Sequence, residues 1–388
     1  MKNARALGPV LLLLATTAGG CGDDSEASDL AAPVGDMAVE PDLSVYDQAT
    51  PDTAVVPDLM PPCDADAGVP TTLACSGLYA DWNAKTLASG VQAFAPGHTL
   101  WSDGAIKSRF VQIPQGATID TTAANDWVFP VGTKFWKEFK LDLAGTVKRI
   151  ETRMYWKRGV GDWVGVVYRW SNDESTTSRL TTGESGVGGT TYEVPAENKC
   201  VMCHKAHTDQ PIGFEAVLLA APAATGLNYA ALQAQGLLGG THAAVAASSL
   251  QIPGTATETA ALGYLHVNCG TMCHRAGGGA PFRMDIDVAS GAAPATVDLT
   301  TTFAAINATS FHVLANPPIN GANYYRIRPT DPMRSMISLR MDIRDALAGG
   351  NDQMPPIDSH AKDTAGIAAV NAWITGMTAS PYPAPAAP

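Results

Sequence analysis

The sequence predicts a multidomain chain: an N-terminal mainly-β domain of sandwich or small-barrel type, then an α-helical region, behind a long lead without core-forming pattern. Three observations support this. Seven of the eight tryptophans fall between Trp82 and Trp170. They sit in alternating aromatic segments (127–140, 149–156, 163–170) punctuated by Gly- and Asp-containing turns, the pattern of antiparallel strands. Near the C-terminus, residues 365–374 read instead as a helix. Residues 22–69 hold twelve acidic residues and no Lys or Arg, and prolines recur at 33, 41, 51, 57, 61 and 62 without hydrophobic periodicity.

In chain order, residues 1–21 are an export signal: Lys2 and Arg5 precede the apolar run 10–15, which is too short to span a bilayer. No later stretch reaches the roughly 18 apolar residues of a spanning helix. Residues 22–76 form an acidic, Pro-rich tether expected to be disordered and to set reach rather than chemistry. The formal net charge of −12 resides in this tether, and the rest of the chain is close to neutral. With no basic domain to displace counterions from a phosphate backbone, nucleic acid is excluded as a partner. Residues 77–195 are the β-rich domain, its tryptophans read as core and sheet-face residues. Residues 196–250 carry a first cysteine cluster, residues 251–380 a second with the C-terminal helix, and 381–388 a disordered tail.

The seven cysteines are the most informative feature. Cys63 and Cys75 flank a short loop that a disulfide would close in an oxidising compartment. Cys200, Cys203 and His204 form a full C-x-x-C-H. Thiols at that spacing reach the two vinyl edges of one haem, while the next histidine swings beneath the iron. Cys269, Cys273 and His274 repeat the pattern with one residue too many, and Gly270 is expected to let that residue loop out through backbone angles closed to other residues. The rival is a structural zinc site built from Cys200, Cys203, Cys269 and Cys273. A redox dithiol is weaker, since no βαβ pattern surrounds Cys200. For the sixth position of the first iron, His98, His242, His266 and Met154 are candidates, while His207 lies too close to His204.

Ala18–Gly19–Gly20–Cys21 resembles the lipobox of bacterial lipoproteins, which implies a lipid on Cys21. The stretch 260–268 leading into the second cluster, the approach 328–336, Met354–Pro355–Pro356 and the run 365–374 together resemble a class I cytochrome c domain. That resemblance implies His274 as proximal ligand, Met354 as distal ligand with Met284 in reserve, and two packed helices. Segments 100–105, 129–133, 150–153, the first motif, 210–213 and 264–269 occur in an order similar to a family of exported bacterial diheme c-type cytochromes with a β-rich N-terminal part. Members usually carry the plain C-x-x-C-H at both sites. The resemblance implies an α-helical cytochrome c-type haem region with two covalently bound haem c. The export signal and the lipid on Cys21 imply a periplasmic or envelope location with the lipid as sole membrane contact, and Gly22, which gives no inner-membrane retention signal, favours the outer membrane. The implied activity is electron transfer between periplasmic or membrane redox partner proteins. The alternatives are a diheme oxidoreductase of peroxidase type, with the first haem as substrate site, and a zinc-binding lipoprotein.

Overall fold

Seven strands form one antiparallel sheet: β1 (Val91–Ala95), β2 (Ile106–Gln112), β3 (Lys134–Leu143), β4 (Thr146–Gly159), β5 (Asp162–Trp170), β6 (Thr177–Arg179) and β7 (Thr225–Gly226). Their spatial order is β6-β5-β4-β3-β2-β1-β7. The computed structural model describes residues 63–66, 68–204, 209, 211–289, 296–298, 304–310, 312, 314–344, 352–357 and 359–378. Cys21, the tether up to residue 62, His207 and the tail 381–388 lie outside the described residues. The long β3–β4 hairpin closes through a two-residue loop, Ala144 and Gly145, whose φ angles are 54° and 87°. Positive φ at both positions matches the right-handed twist of the flanking strands.

Strand alternation gives the sheet two different faces. On one, Phe94, Val111, Phe135 and Tyr155 enter a core shared with Leu262, Trp373 and other helical residues. On the other, Val91, Trp136, Met154, Val166 and Trp170 pack against Val69, Leu73, Leu78 and Tyr79. Val69 and Leu73 lie in the loop closed by the Cys63–Cys75 disulfide, whose Cα atoms are 5.5 Å apart, and Leu78 and Tyr79 follow it directly. The β-rich region is therefore built on one seven-stranded sheet with small two-stranded pairings beside it, and among the described residues no second large sheet completes the expected sandwich or barrel. Largely irregular N-terminal chain covers the face a second sheet would have taken.

Among the described residues six α-helices follow: α1 (Cys200–His204), α2 (Ala216–Ala220), α3 (Tyr229–Ala234), α4 (Ala256–Leu265), α5 (Met336–Met341) and α6 (Thr364–Gly376). A capping box starts α4: the Thr255 hydroxyl accepts from Glu258 N–H, and the Glu258 carboxylate accepts from Thr255 N–H at 2.8 Å. Asp363 caps α6 by accepting from Gly366 N–H at 2.9 Å. Helices α4 and α6 pack together. Gly366 permits their close approach, because a Cβ there would lie 2.2 Å from the Tyr264 ring.

The three segments expected as separate units interlock. β7 pairs with β1, and Leu238–Gly239 pairs in parallel with Ile119–Asp120. Trp101 N–H donates to the Asn268 side chain at 2.7 Å, and the Phe94 and Phe214 rings meet edge to face. Sheet and helices thus share one core.

The helix crossing gives a direct test. Gly366→Ala should destabilise the protein by about 1–3 kcal/mol through overpacking. Gly376→Ala, at an open position of the same helix, should be neutral or stabilise by up to about 1 kcal/mol. Urea denaturation of the two variants measures the difference.

Candidate functional site

The first motif is seated on bare sheet backbone. Cys200 begins α1 directly over Gly165 of β5, where an added Cβ would come within 2.9 Å of the Cys200 Sγ. Tyr155, paired with Gly165 across β4 and β5, stacks on Trp163 at 5.0 Å and meets the His204 imidazole at 4.4 Å between ring centroids. A flat aromatic pair therefore sets where the histidine ring lies.

The second motif absorbs its extra residue in the helix itself. α4 runs on into a wider π turn, His266–Gly270. Thr271 N–H donates to His266 C=O at 2.8 Å and His274 N–H to Cys269 C=O at 2.9 Å, each spanning five residues instead of four. This corrects the expected looping-out at Gly270, which is not among the residues with positive φ. Glycine is required there for proximity: a Cβ would sit 2.6 Å from the Asp285 backbone.

His274 is held in one tautomer. Its Nδ1 lies 3.0 Å from Phe282 C=O, and a carbonyl can only accept, so Nδ1 carries the proton and Nε2 presents its lone pair. Burial lowers the His274 pKa and keeps the ring neutral. Met354 is held through its backbone, its N–H donating to Arg340 C=O at 2.9 Å and its carbonyl accepting from Arg344 at 3.3 Å.

Both motifs open on the same cavity, of about 600 Å³. Its walls include Cys200, Cys203 and His204 from the first, Cys269, Cys273 and His274 from the second, and Met354 and Met284. Such a volume falls within the roughly 300–1,000 Å³ range of cavities that take a small organic ligand or cofactor.

The four candidates for a sixth ligand to the first iron are otherwise engaged. His98 packs over Gly263 and does not line the cavity, and His242 Nδ1 donates to Thr121 C=O at 2.8 Å. His266 uses both ring nitrogens, accepting from Ile286 N–H at 2.9 Å and donating to Glu215 at 2.6 Å. Met154 is packed with Trp136 in the core on the sheet's other face. Two histidines that sequence reasoning missed line the cavity instead: His312, paired with Asp352, and His360, paired with Glu193. Only tertiary contacts bring them there, and no local spacing marks them.

Burial also shapes the chemistry of the four thiols. Cys200, Cys203, Cys269 and Cys273 are not joined in disulfides. Burial pushes the Cys269 thiol up to about 12, with Cys273 beside it adding to the effect, and raises Cys200 and Cys273 as well. Burial therefore favours the neutral thiol at these positions until a bound metal or a reaction partner draws off the proton. Among the described residues no three His, Cys, Asp or Glu side chains converge as a metal-holding group. Among the described residues, too, no helix is long and apolar enough to cross a membrane.

No family model, no curated protein and no solved structure matches the chain.

The raised thiol has a pH signature. Burial favours the neutral form, so thiolate accumulates at Cys269 only as pH nears 12, against about 8.5 for a free thiol. In chain produced without haem, iodoacetamide at pH 8 should modify Cys269 on the order of a hundredfold more slowly than in urea. The folded-state rate should keep rising beyond pH 10, where the urea rate has levelled. Mass mapping of the alkylated peptide reads both.

Proposed function

We propose that the protein is a two-haem c-type cytochrome of the cell envelope, carrying electrons between redox partner proteins and tethered by a lipid on Cys21. The observation that carries this reading is the convergence of both Cys–His motifs and Met354 on a single cavity. The donor set fits the group: paired neutral thiols, a histidine with its Nδ1–H fixed, and a thioether. Cys200 and Cys203 would hold one haem with His204 as proximal ligand. Cys269 and Cys273 would hold the other, with His274 and Met354 as its axial pair. When bound, each haem supplies an iron that gains and loses one electron.

The chain's own residues do the tuning. The Phe282 carbonyl orients His274 and raises its basicity through the shared proton. A Met354 thioether favours the reduced iron and raises the potential of that centre. Apolar wall residues such as Phe135, Ile337 and Met341 limit water at the site. Helices α4 and α6, crossing at Tyr264 and Gly366, support a class I cytochrome c-like character for the C-terminal region. The export signal supports a periplasmic haem region, and Gly22 after Cys21, which gives no inner-membrane retention signal, favours the outer membrane. A Cys21→Ser chain should then be recovered in the soluble fraction; unchanged membrane association would contradict the anchor.

A second reading, an oxidoreductase of peroxidase type with an open position at the first haem, draws on the engagement of all four proposed sixth ligands elsewhere. High-spin absorbance from one haem together with peroxide turnover would favour it over simple electron transfer.

Redox titration of the purified protein, followed by c-type absorbance, should resolve two one-electron centres. Met354→Ala should leave both haems attached and lower one potential only. If neither potential moved, the thioether role would pass to Met284; if no c-type absorbance were found, the cytochrome reading would be wrong.

A further inference from the structure

Three adjacent strands carry cations in direct register: Arg109 of β2 opposite Lys137 of β3, and Lys137 opposite Arg153 of β4. Like charges facing one another across a sheet repel, so such a row is destabilising unless something anionic lies along it. All three residues line the cavity. Arg109 is only 7% exposed, and among the described residues neither Arg109 nor Lys137 has a hydrogen bond or ion pair with a protein group. Arg153 is paired with Glu151, the carboxylate on the same face. Lys107, two residues before Arg109, brings a further positive charge and donates to Leu100 C=O. Burial and neighbouring cations depress the lysines, Lys107 down to about 7, and burial alone lowers Arg109 to about 10. Burial and mutual repulsion thus penalise every positive charge on this wall until an anion lies beside it.

The row beside it has the opposite character. Two residues along the same strands and on the same face, Gly165, Tyr155, Phe135 and Val111 lie in register. This second row is flat, apolar and aromatic, and the Cys200 thiol rests on its Gly165 end. The face of the sheet is therefore divided into an apolar strip under the first motif and a cationic strip along one edge of that strip.

We propose that Arg109, Lys137 and Arg153 bind the paired carboxylates of a flat, apolar ring system held in the cavity beside Gly165, Tyr155 and Phe135. Resting on the reading above, that ring is the haem bonded to Cys200 and Cys203, with its two propionates turned toward the cationic row. A free dicarboxylate offers the row the same chemistry without the ring. Charge-assisted hydrogen bonds from a buried guanidinium or ammonium to carboxylate are among the stronger polar interactions, and the unpaired cations gain what they lack only when it is present.

The test uses the full chain with Cys200→Ala and Cys203→Ala, which makes the ring a free ligand at this site. Protoporphyrin IX and its dimethyl ester are titrated against tryptophan fluorescence, with succinate as competitor. The diacid should bind about tenfold or more tightly than the ester, and Arg109→Gln with Lys137→Met should abolish that preference. Lys137→Met should also raise the thermal midpoint of the ligand-free chain, because it removes a poorly compensated buried cation; a purely structural lysine would lower it. Equal affinity for diacid and ester would overturn the proposal, as would tight succinate binding without any preference for the diacid porphyrin. Haem c content of the unmodified protein is measured alongside. A retained diacid preference in a protein that carries no covalent haem would support the cationic row while refuting the attached haem, so the two claims fail separately.

Discussion

The register of β3 against β4 is the constraint on which the site depends. Pairing Tyr155 with Phe135 and Arg153 with Lys137 turns all four toward the cavity, while Trp136 and Met154 turn to the opposite core. A slip of one residue would exchange the faces, burying the cations among Val69, Leu73 and Leu78 and turning Trp136 and Met154 toward the cavity. The hairpin loop at Ala144 and Gly145 holds that register at one end. At the other, the Lys157 ammonium is buried against Asp209 and donates to Phe129 C=O at 2.7 Å. A buried ion pair of this kind contributes little net stability, yet breaking one side would leave a charge without its partner.

The second motif depends on a local change of helical pitch. An α-helix carrying Cys269 at its end would deliver a residue four places on, Cys273, about one turn later. Widening the turn at His266–Gly270 inserts a residue without ending the helix. The device needs a glycine because the Asp285 backbone passes close by, and it needs His266 buried, with Glu215 and Ile286 taking both of its ring nitrogens. The histidine that looked available as a ligand is one of the residues that hold the turn carrying Cys269 in shape.

How far the sequence disclosed this depends on range. The strands around Phe135, Tyr155 and Trp163 and the helix at 365–374 could be read because their periodicity is local. The two Cys–His motifs could be read because each lies within five or six consecutive residues. The second sheet of a sandwich was expected because alternation says that a strand has two faces without saying what covers the second. Here Leu73 and Leu78 of largely irregular chain cover it. The cationic row was hidden because Arg109, Lys137 and Arg153 are spread over 44 residues and meet only through strand register. His312 and His360 were hidden for the same reason. Each reaches the cavity from a loop, next to a carboxylate 40 or 167 residues away in sequence.

Mapping of covalent haem on the purified protein tests the central claim most directly. Proteolysis followed by mass spectrometry should yield two haem-bearing peptides, one holding Cys200 and Cys203 and the other Cys269 and Cys273, each attached through both sulfurs. Haem on the first peptide alone, with Cys269 and Cys273 recovered as free thiols or as a disulfide, would contradict the two-haem assignment and leave the π turn without its proposed purpose.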